Sequence, residues 1–192
     1  LEDAYSKETR GRLMGTFAEE CAEADGFTRA AQDAYAVQST TRAIEASNNG
    51  SFDWEIVPVT VAGRKGDVTL SKDEGPFAVN VDKIPTLKPA FKKDGTVTAA
   101  NSSSISDGAA ALVLMRASQA EKLGLNPLAR IVGHATHAGV PAKFPSAPVG
   151  SIEKLFAKTG WSADSVDLFE VNEAFAVVAM AALHDLKLDP AK

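Results

Sequence analysis

Apolar positions recur at three- and four-residue spacing from Met14 to Ala24, with Met14, Phe17, Ala18, Cys21 and Ala22 on one stripe. That period predicts a short amphipathic helix, which Asp25-Gly26 ends. Thr28 is placed to cap a second helix running to about Ser47, closed by Asn48-Asn49-Gly50. The pattern then changes. Trp54-Glu55-Ile56-Val57-Pro58-Val59-Thr60-Val61 is β-branched and partly alternating, the Gly63–Asp67 stretch is turn chemistry, and Val68-Thr69-Leu70 answers it. A hairpin is predicted, with Pro58 at an edge or a bulge. Residues 71–95 hold Lys72, Lys83, Lys88, Lys92 and Lys93 with Pro76, Pro85 and Pro89 between them. This reads as a long basic connection with little regular structure, and such loops are uncommon unless they bind something.

Beyond Gly95 strand-like and helix-like text alternate. Thr96–Ala100 reads as a short strand, and Ala109–Met115 as an uncharged interior strand covered on both faces. Ser118–Leu123 reads as a short helix, Ala129–His137 as a strand, and Val149–Ala157 as a helix stopped by Gly160. The run Val166–Val171 reads as a strand feeding straight into Asn172–Leu183, which is Ala-rich and reads as a buried helix. Alternation of this kind predicts an α/β layer sandwich over residues 96–192, with residues 1–95 as a separate α+β lobe.

Composition narrows the class. The 192 residues are 45% apolar and 23% charged, enough for a sizeable core and against global disorder. A net charge of −5 gives no bulk attraction to nucleic acid or to an anionic membrane. No apolar run approaches the length of a transmembrane helix, and no secretory leader opens the chain. The single cysteine, Cys21, forms no internal disulfide and no Cys-based zinc site, which fits a reducing, cytoplasmic compartment. The chain starts at Leu1 and ends at Lys192, and both ends read as cuts in a longer polypeptide.

In an α/β layer ligands gather at the carboxyl ends of strands, near helix N-termini. Two places qualify. One is Val171-Asn172-Glu173-Ala174-Phe175, where Asn172 is expected at the N-cap or first turn of a helix, either as a plain cap or as an amide facing a site. The other is Thr98–Ser104, either a Ser-rich turn or a surface of backbone groups that a ligand can approach. His134 and His137 lack zinc spacing, and a strand there sends them to opposite faces. His184 reads as packed or solvated and Cys21 as a small core residue. Neither a Gly-rich phosphate loop nor a nucleophile elbow is present.

The wording of these segments resembles a known family. Val171-Asn172-Glu173-Ala174-Phe175-Ala176 is similar to the Asn-Glu-Ala-Phe motif of thiolases, and Asn101–Leu114 to their Asn-Ala-Ser-x-x-x-Asp-Gly-Ala-Ala-Ala segment. Met14-Gly15, Glu19, Gln32–Ala36, Glu55–Val59 and Gly95–Ala99 follow in the same order. The resemblance covers nearly the whole chain and is nearest to bacterial biosynthetic acetyl-CoA acetyltransferases.

The resemblance implies a thiolase-like layered α/β core, incomplete in this chain, with a separate α+β loop domain. It divides the chain into a CoA-covering loop domain at 1–95, the last segment of the N-terminal core domain at 96–123, and the first half of the C-terminal core domain at 124–192. It implies that Asn172 holds a water that donates to the thioester oxygen. It further implies that Ser103, Ala99, Met14, Ala174, Phe175 and Phe144 line the path of the acyl-CoA. The implied substrates are acetyl-CoA and acetoacetyl-CoA, with no metal and no cofactor beyond these coenzyme A thioesters, and the implied assembly is a homodimer or homotetramer. The family's nucleophilic cysteine, Gly-His-Pro histidine and second cysteine match no residue here, and Cys21 corresponds to neither cysteine. Leu13 replaces the histidine some members carry, Glu74-Gly75-Pro76-Phe77 replaces an arginine-bearing segment, and Thr40 stands where the potassium-activated branch has a tyrosine. A piece of a thiolase is therefore one reading, and a non-catalytic CoA-binding or interaction module is the other. The first carries the expectation of a large exposed apolar surface.

Overall fold

The structure is a computed structural model and describes residue 7 and residues 10–192; residues 1–6, 8 and 9 of the 1–95 lobe lie outside it. Helix α1 spans Met14–Ala24 and α2 spans Arg29–Asn48, where the periodicity put them. The Thr28 hydroxyl accepts the Ala31 N–H at 3.2 Å, so the predicted N-cap of α2 is made. Strands β1 (Val59–Val61) and β2 (Val68–Leu70) form an antiparallel two-stranded sheet, with Val59 opposite Leu70. β1 is shorter than the predicted 54–61 strand. Phe52 instead closes a turn that takes the N–H groups of Glu55 and Ile56, and Pro58, with no N–H, cannot extend the ladder.

The basic connection is more ordered than its composition suggests. It contains the single turn α3 (Gly75–Ala78) and a 3-10 stretch, Val81–Thr86, whose Ile84 is buried. Arg29 of α2 holds that stretch, donating to the carbonyls of Ile84 at 3.1 Å and Leu87 at 2.9 Å.

Helices α4 (Ala117–Lys122), α5 (Ala147–Thr159) and α6 (Ala176–Asp185) follow, and a 3-10 stretch at Pro141–Ser146 leads into α5. α5 stops at Gly160, which takes the left-handed conformation (φ 75°) that a helix C-terminus favours. α6 is the centre of the molecule. α1, α2, α5 and the 141–146 stretch all pack on it, and six of its ten residues are buried. Alanine keeps this helix stable and thin, so neighbours approach on several sides. α2 is different, because its buried residues are Gln32, Asp33, Ala36 and Ser47. A helix that buries polar groups must satisfy them, and that requirement builds the site.

Four predicted strands do not form. Thr96–Ala100 folds into a side-chain-bonded turn, in which the Asn101 carboxamide oxygen takes the Thr98 N–H at 2.7 Å in place of a neighbouring strand. Ala109–Met115 is not an interior strand: it is irregular, with Leu112 85% and Val113 86% exposed. Ala129–His137 runs beside α5, its Thr136 and His134 carbonyls accepting from Lys154 and Lys158. Val166–Val171 has no ladder either, and its Phe169 N–H goes to the Lys192 carbonyl at 2.8 Å. The reason is common to all four. A strand exists only beside a hydrogen-bonded neighbour, and among the described residues no such neighbour is present. No helix of the described residues is long and apolar enough to cross a membrane.

A candidate active site at the start of helix α6

Asn172 is not a helix cap. α6 begins four residues later, at Ala176, with Phe175 in the N-cap position in extended conformation (φ −146°, ψ 155°). The segment before it is a tight turn in which the Ala174 N–H returns to the Asn172 carbonyl at 3.0 Å. Asn172 is exposed, Ala174 half-buried and Phe175 buried. The expectation that Asn172 opens the helix fails because residues 172–174 form a turn between the apolar 166–171 run and α6. A bulky aromatic that must be buried takes the N-cap instead.

This turn is joined to the Ser-rich segment. Ser102 and Phe175 form an isolated antiparallel bridge, the Ser103 N–H donates to the Ala174 carbonyl at 3.0 Å, and the Ala176 N–H to the Asn101 carbonyl at 2.9 Å. Below the joint Phe175 packs with Ala18, Ala22, Val97, Val177 and Val178, and Met14, Phe91, Phe144 and Ala174 close around them. The Phe175 ring lies 6.2 Å from Phe144 and 6.1 Å from Phe91, centroid to centroid. Met14, Phe144, Ala174 and Phe175 thus meet in one apolar cluster, and Ser103 hydrogen-bonds to it. Ala99 and Asn172 are exposed on the two joined segments, as are Ser103 and Glu173.

The polar support beneath is not legible in the hydrophobic pattern. The Glu19 carboxylate, 6% exposed on α1, accepts the Thr96 N–H at 2.8 Å and 3.0 Å, the Thr96 hydroxyl at 3.1 Å and the Val97 N–H at 2.9 Å. Gly95 makes this approach possible, since a Cβ there would overlap the carboxylate. From α2, the Gln32 amide donates to the Thr96 hydroxyl at 2.8 Å and to the Phe27 carbonyl at 3.1 Å. Asp33 accepts from the Asn101 carboxamide at 3.3 Å and pairs with Arg29 at 2.7 Å. The 96–103 turn therefore rests on three buried side chains from the two N-terminal helices. Two donors reach Glu173 as well, Tyr35 at 2.8 Å and Ser39 at 2.7 Å. The available sequence signal was weak: a buried acid beside the apolar stripe of a short helix, and a polar face on α2.

Cys21 stands apart. Its thiol donates to the Asp25 carboxylate at 3.4 Å, and burial first, then Asp25, pushes its pKa up to about 12. The shift is upward, so the thiol stays neutral through pH 8. Its thiolate population there should be well below that of an ordinary cysteine. Iodoacetamide at pH 8 should accordingly modify native Cys21 far more slowly than the urea-unfolded chain. Equal rates in both states would contradict this account. Among the described residues no group of three or more His, Cys, Asp and Glu is placed to hold a metal ion.

Comparison with known proteins places this geometry. Residues 1–118 match the family model of the thiolase N-terminal domain, and residues 125–192 that of the thiolase C-terminal domain. A probable acetyl-CoA acetyltransferase of Dictyostelium discoideum is 48% identical over 190 residues, covering 98% of this chain and 45% of that protein. A probable acetyl-CoA acyltransferase of Staphylococcus aureus is 45% identical over 181 residues, covering 93% of this chain and 46% of that protein. The crystal structure of the Bacillus anthracis acetyl-CoA acetyltransferase superposes with a TM-score of 0.92 at 43% identity, over 98% of this chain and 47% of that one. A thiolase of Ascaris suum solved in complex with coenzyme A gives 0.87 at 39%, over 94% and 46%. The chain thus spans about half the length of these relatives, and its backbone follows the thiolase path even where no ladder closes. With both domain models matched in order and a superposition of that quality, the chain belongs to the thiolase family and carries an incomplete form of its layered α/β fold.

Proposed function

We propose that this chain works as part of an acetyl-CoA C-acetyltransferase. The enzyme would condense two acetyl-CoA to acetoacetyl-CoA and free CoA, or run the reverse thiolysis. The observation that carries the reading is the joint between residues 101–103 and 174–176, which unites the two thiolase-like motifs over a single apolar cluster. In the condensation one acetyl group resides on the enzyme as a thioester. The methyl carbon of a second acetyl-CoA loses a proton, and its carbanion attacks that thioester carbonyl to form the new carbon–carbon bond. The enzyme's thiolate leaves.

Charge develops on the thioester oxygen of the second acetyl-CoA as the proton departs, and donors aimed at that oxygen lower the barrier. Asn172, exposed at the turn, is assigned the water that makes this donation. Ser103 and Ala99 on the joined turn face the pantetheine arm. Met14, Phe144, Ala174 and Phe175 form an apolar wall that excludes water from it. The thiol nucleophile, its activating histidine and the second cysteine match no residue among the 192, so turnover belongs to the full-length protein. In that protein residues 1–95 serve as the CoA-covering loop domain, 96–123 as the end of the N-terminal core and 124–192 as the start of the C-terminal core. The full-length enzyme is a cytoplasmic homo-oligomer that uses coenzyme A thioesters as substrates and no further cofactor.

The test compares two mass-verified samples. The 192-residue chain should not cleave acetoacetyl-CoA, while the full-length protein should do so in the presence of CoA. Turnover by the short chain that vanishes on Cys21→Ser would overturn the reading of Cys21 as packing. A full-length protein that binds CoA without turnover would favour the non-catalytic module.

A further inference from the structure

We propose that Glu173, clamped by Tyr35 and Ser39 of α2, is a positioning residue that sets the 172–174 turn and, through it, the Asn172 carboxamide. The inference rests on the thiolase reading of Asn172 given above. Each oxygen of the Glu173 carboxylate has its own donor: the Tyr35 hydroxyl reaches one at 2.8 Å and the Ser39 hydroxyl the other at 2.7 Å. Residues four apart on a helix stand one above the other, so the two hydroxyls form a vertical pair matched to one bidentate acceptor. An exposed acid in a surface turn needs no such partner. Both contacts also cross the molecule, joining residues 138 and 134 positions apart.

The location of the clamp gives it a consequence. Glu173 is the middle residue of the turn that the Ala174 N–H closes onto the Asn172 carbonyl. On one side the turn is tied to the 101–103 segment through Ala174 and Ala176. On the other, Glu173 ties it to α2, so the residues that follow Asn172 cannot swing independently of either element. Tyr35 is suited to hold its proton, since burial first and the Glu173 contact second both raise its pKa. It remains a donor at every physiological pH. The clamp borders an open groove of about 760 Å3, lined also by Arg42, Glu170 and Met180, so its loss need not disturb the buried core.

The experiment is a double-mutant cycle in the full-length enzyme, using Tyr35→Phe/Ser39→Ala, Asn172→Ala and the triple combination. Removing the two hydroxyls should lower kcat about 10- to 100-fold, the cost of misplacing a reacting group by roughly 1 Å, with KM for the acyl-CoA held within about twofold. In the Asn172→Ala background the same change should cost no more than about twofold, because the group being positioned is gone. Full additivity, or an unchanged kcat, overturns the proposal. If Asn172→Ala is crippled while the hydroxyl variant is normal, only the clamp fails. If Asn172→Ala itself turns over normally, the thiolase reading of Asn172 fails and takes the clamp with it. Amide hydrogen exchange supplies a readout independent of activity: Ala174 should lose protection in the hydroxyl variant while α6 keeps its own. A uniform rise along α6 would mean general destabilisation and would overturn the positioning role.

Discussion

Asn172→Ala in the full-length enzyme is expected to lower kcat by roughly 10² to 10³, the range for removal of one oxyanion donor, or about 2.7–4 kcal/mol. Affinity for CoA should stay close to that of the parent, because the amide is assigned to a water and not to the cofactor. The structure makes this test sharper. Were Asn172 an N-cap, its loss would cost about 1 kcal/mol of stability. Phe175 holds that position instead and Asn172 is exposed, so the melting temperature should hardly move. Asn172→Asp keeps the shape and adds a negative charge where negative charge develops, so the product should be a stable, crippled enzyme. Turnover and melting temperature on the same two variants decide the matter, and near-normal turnover of Asn172→Asp removes the oxyanion role.

A large loss of stability is expected at Glu19. Replacing it by alanine strands the N–H groups of Thr96 and Val97 and the Thr96 hydroxyl, with Val97 fully buried. Each buried donor without a partner costs about 1–3 kcal/mol. Thr96 is only half-buried and water can reach it, which puts the total at about 2–4 kcal/mol by that scale. Glu19→Gln, which swaps one acceptor for a donor, should cost about half as much. Gly95→Ala should mimic the alanine variant by displacing the carboxylate, and should add little on top of Glu19→Ala, since neighbours that share one interaction are not additive. Urea denaturation of the four proteins, the Glu19→Ala/Gly95→Ala double among them, checks this. A Gly95→Ala effect that persists undiminished in the Glu19→Ala background would show that the two do not meet as described. Under the proposed function Ala99 and Ser103 of the 96–103 turn face the pantetheine arm, so the destabilised variants should also bind CoA less tightly even where they remain folded.

What the sequence determined by itself was local. The stripe Met14–Ala22, the Thr28 cap, the stop at Gly160 and the alanine run of α6 depend on residues within a turn or two of each other. Helical hydrogen bonds close over four residues, so the chain's own order contains them. The family motifs were legible for the same reason, as short runs of words that need no folding to be recognised.

Only the tertiary structure decided the rest. The strands read at 96–100, 109–115, 129–137 and 166–171 have the composition of strands, yet a ladder needs a neighbour that composition does not supply. Thr96–Ala100 became a turn because Asn101, Glu19 and Gln32 took its backbone and hydroxyl groups. The structural roles of Glu19 and Glu173 are invisible in local pattern because their partners lie 77–78 and 134–138 residues away. Asn172 read as a helix cap because the pattern could not show that Phe175, drawn into the core by Phe91 and Phe144, would take that position first. Burying an aromatic ring is worth several times a helix cap, and that inequality, visible only once the chain is folded, leaves Asn172 free at the surface of the site.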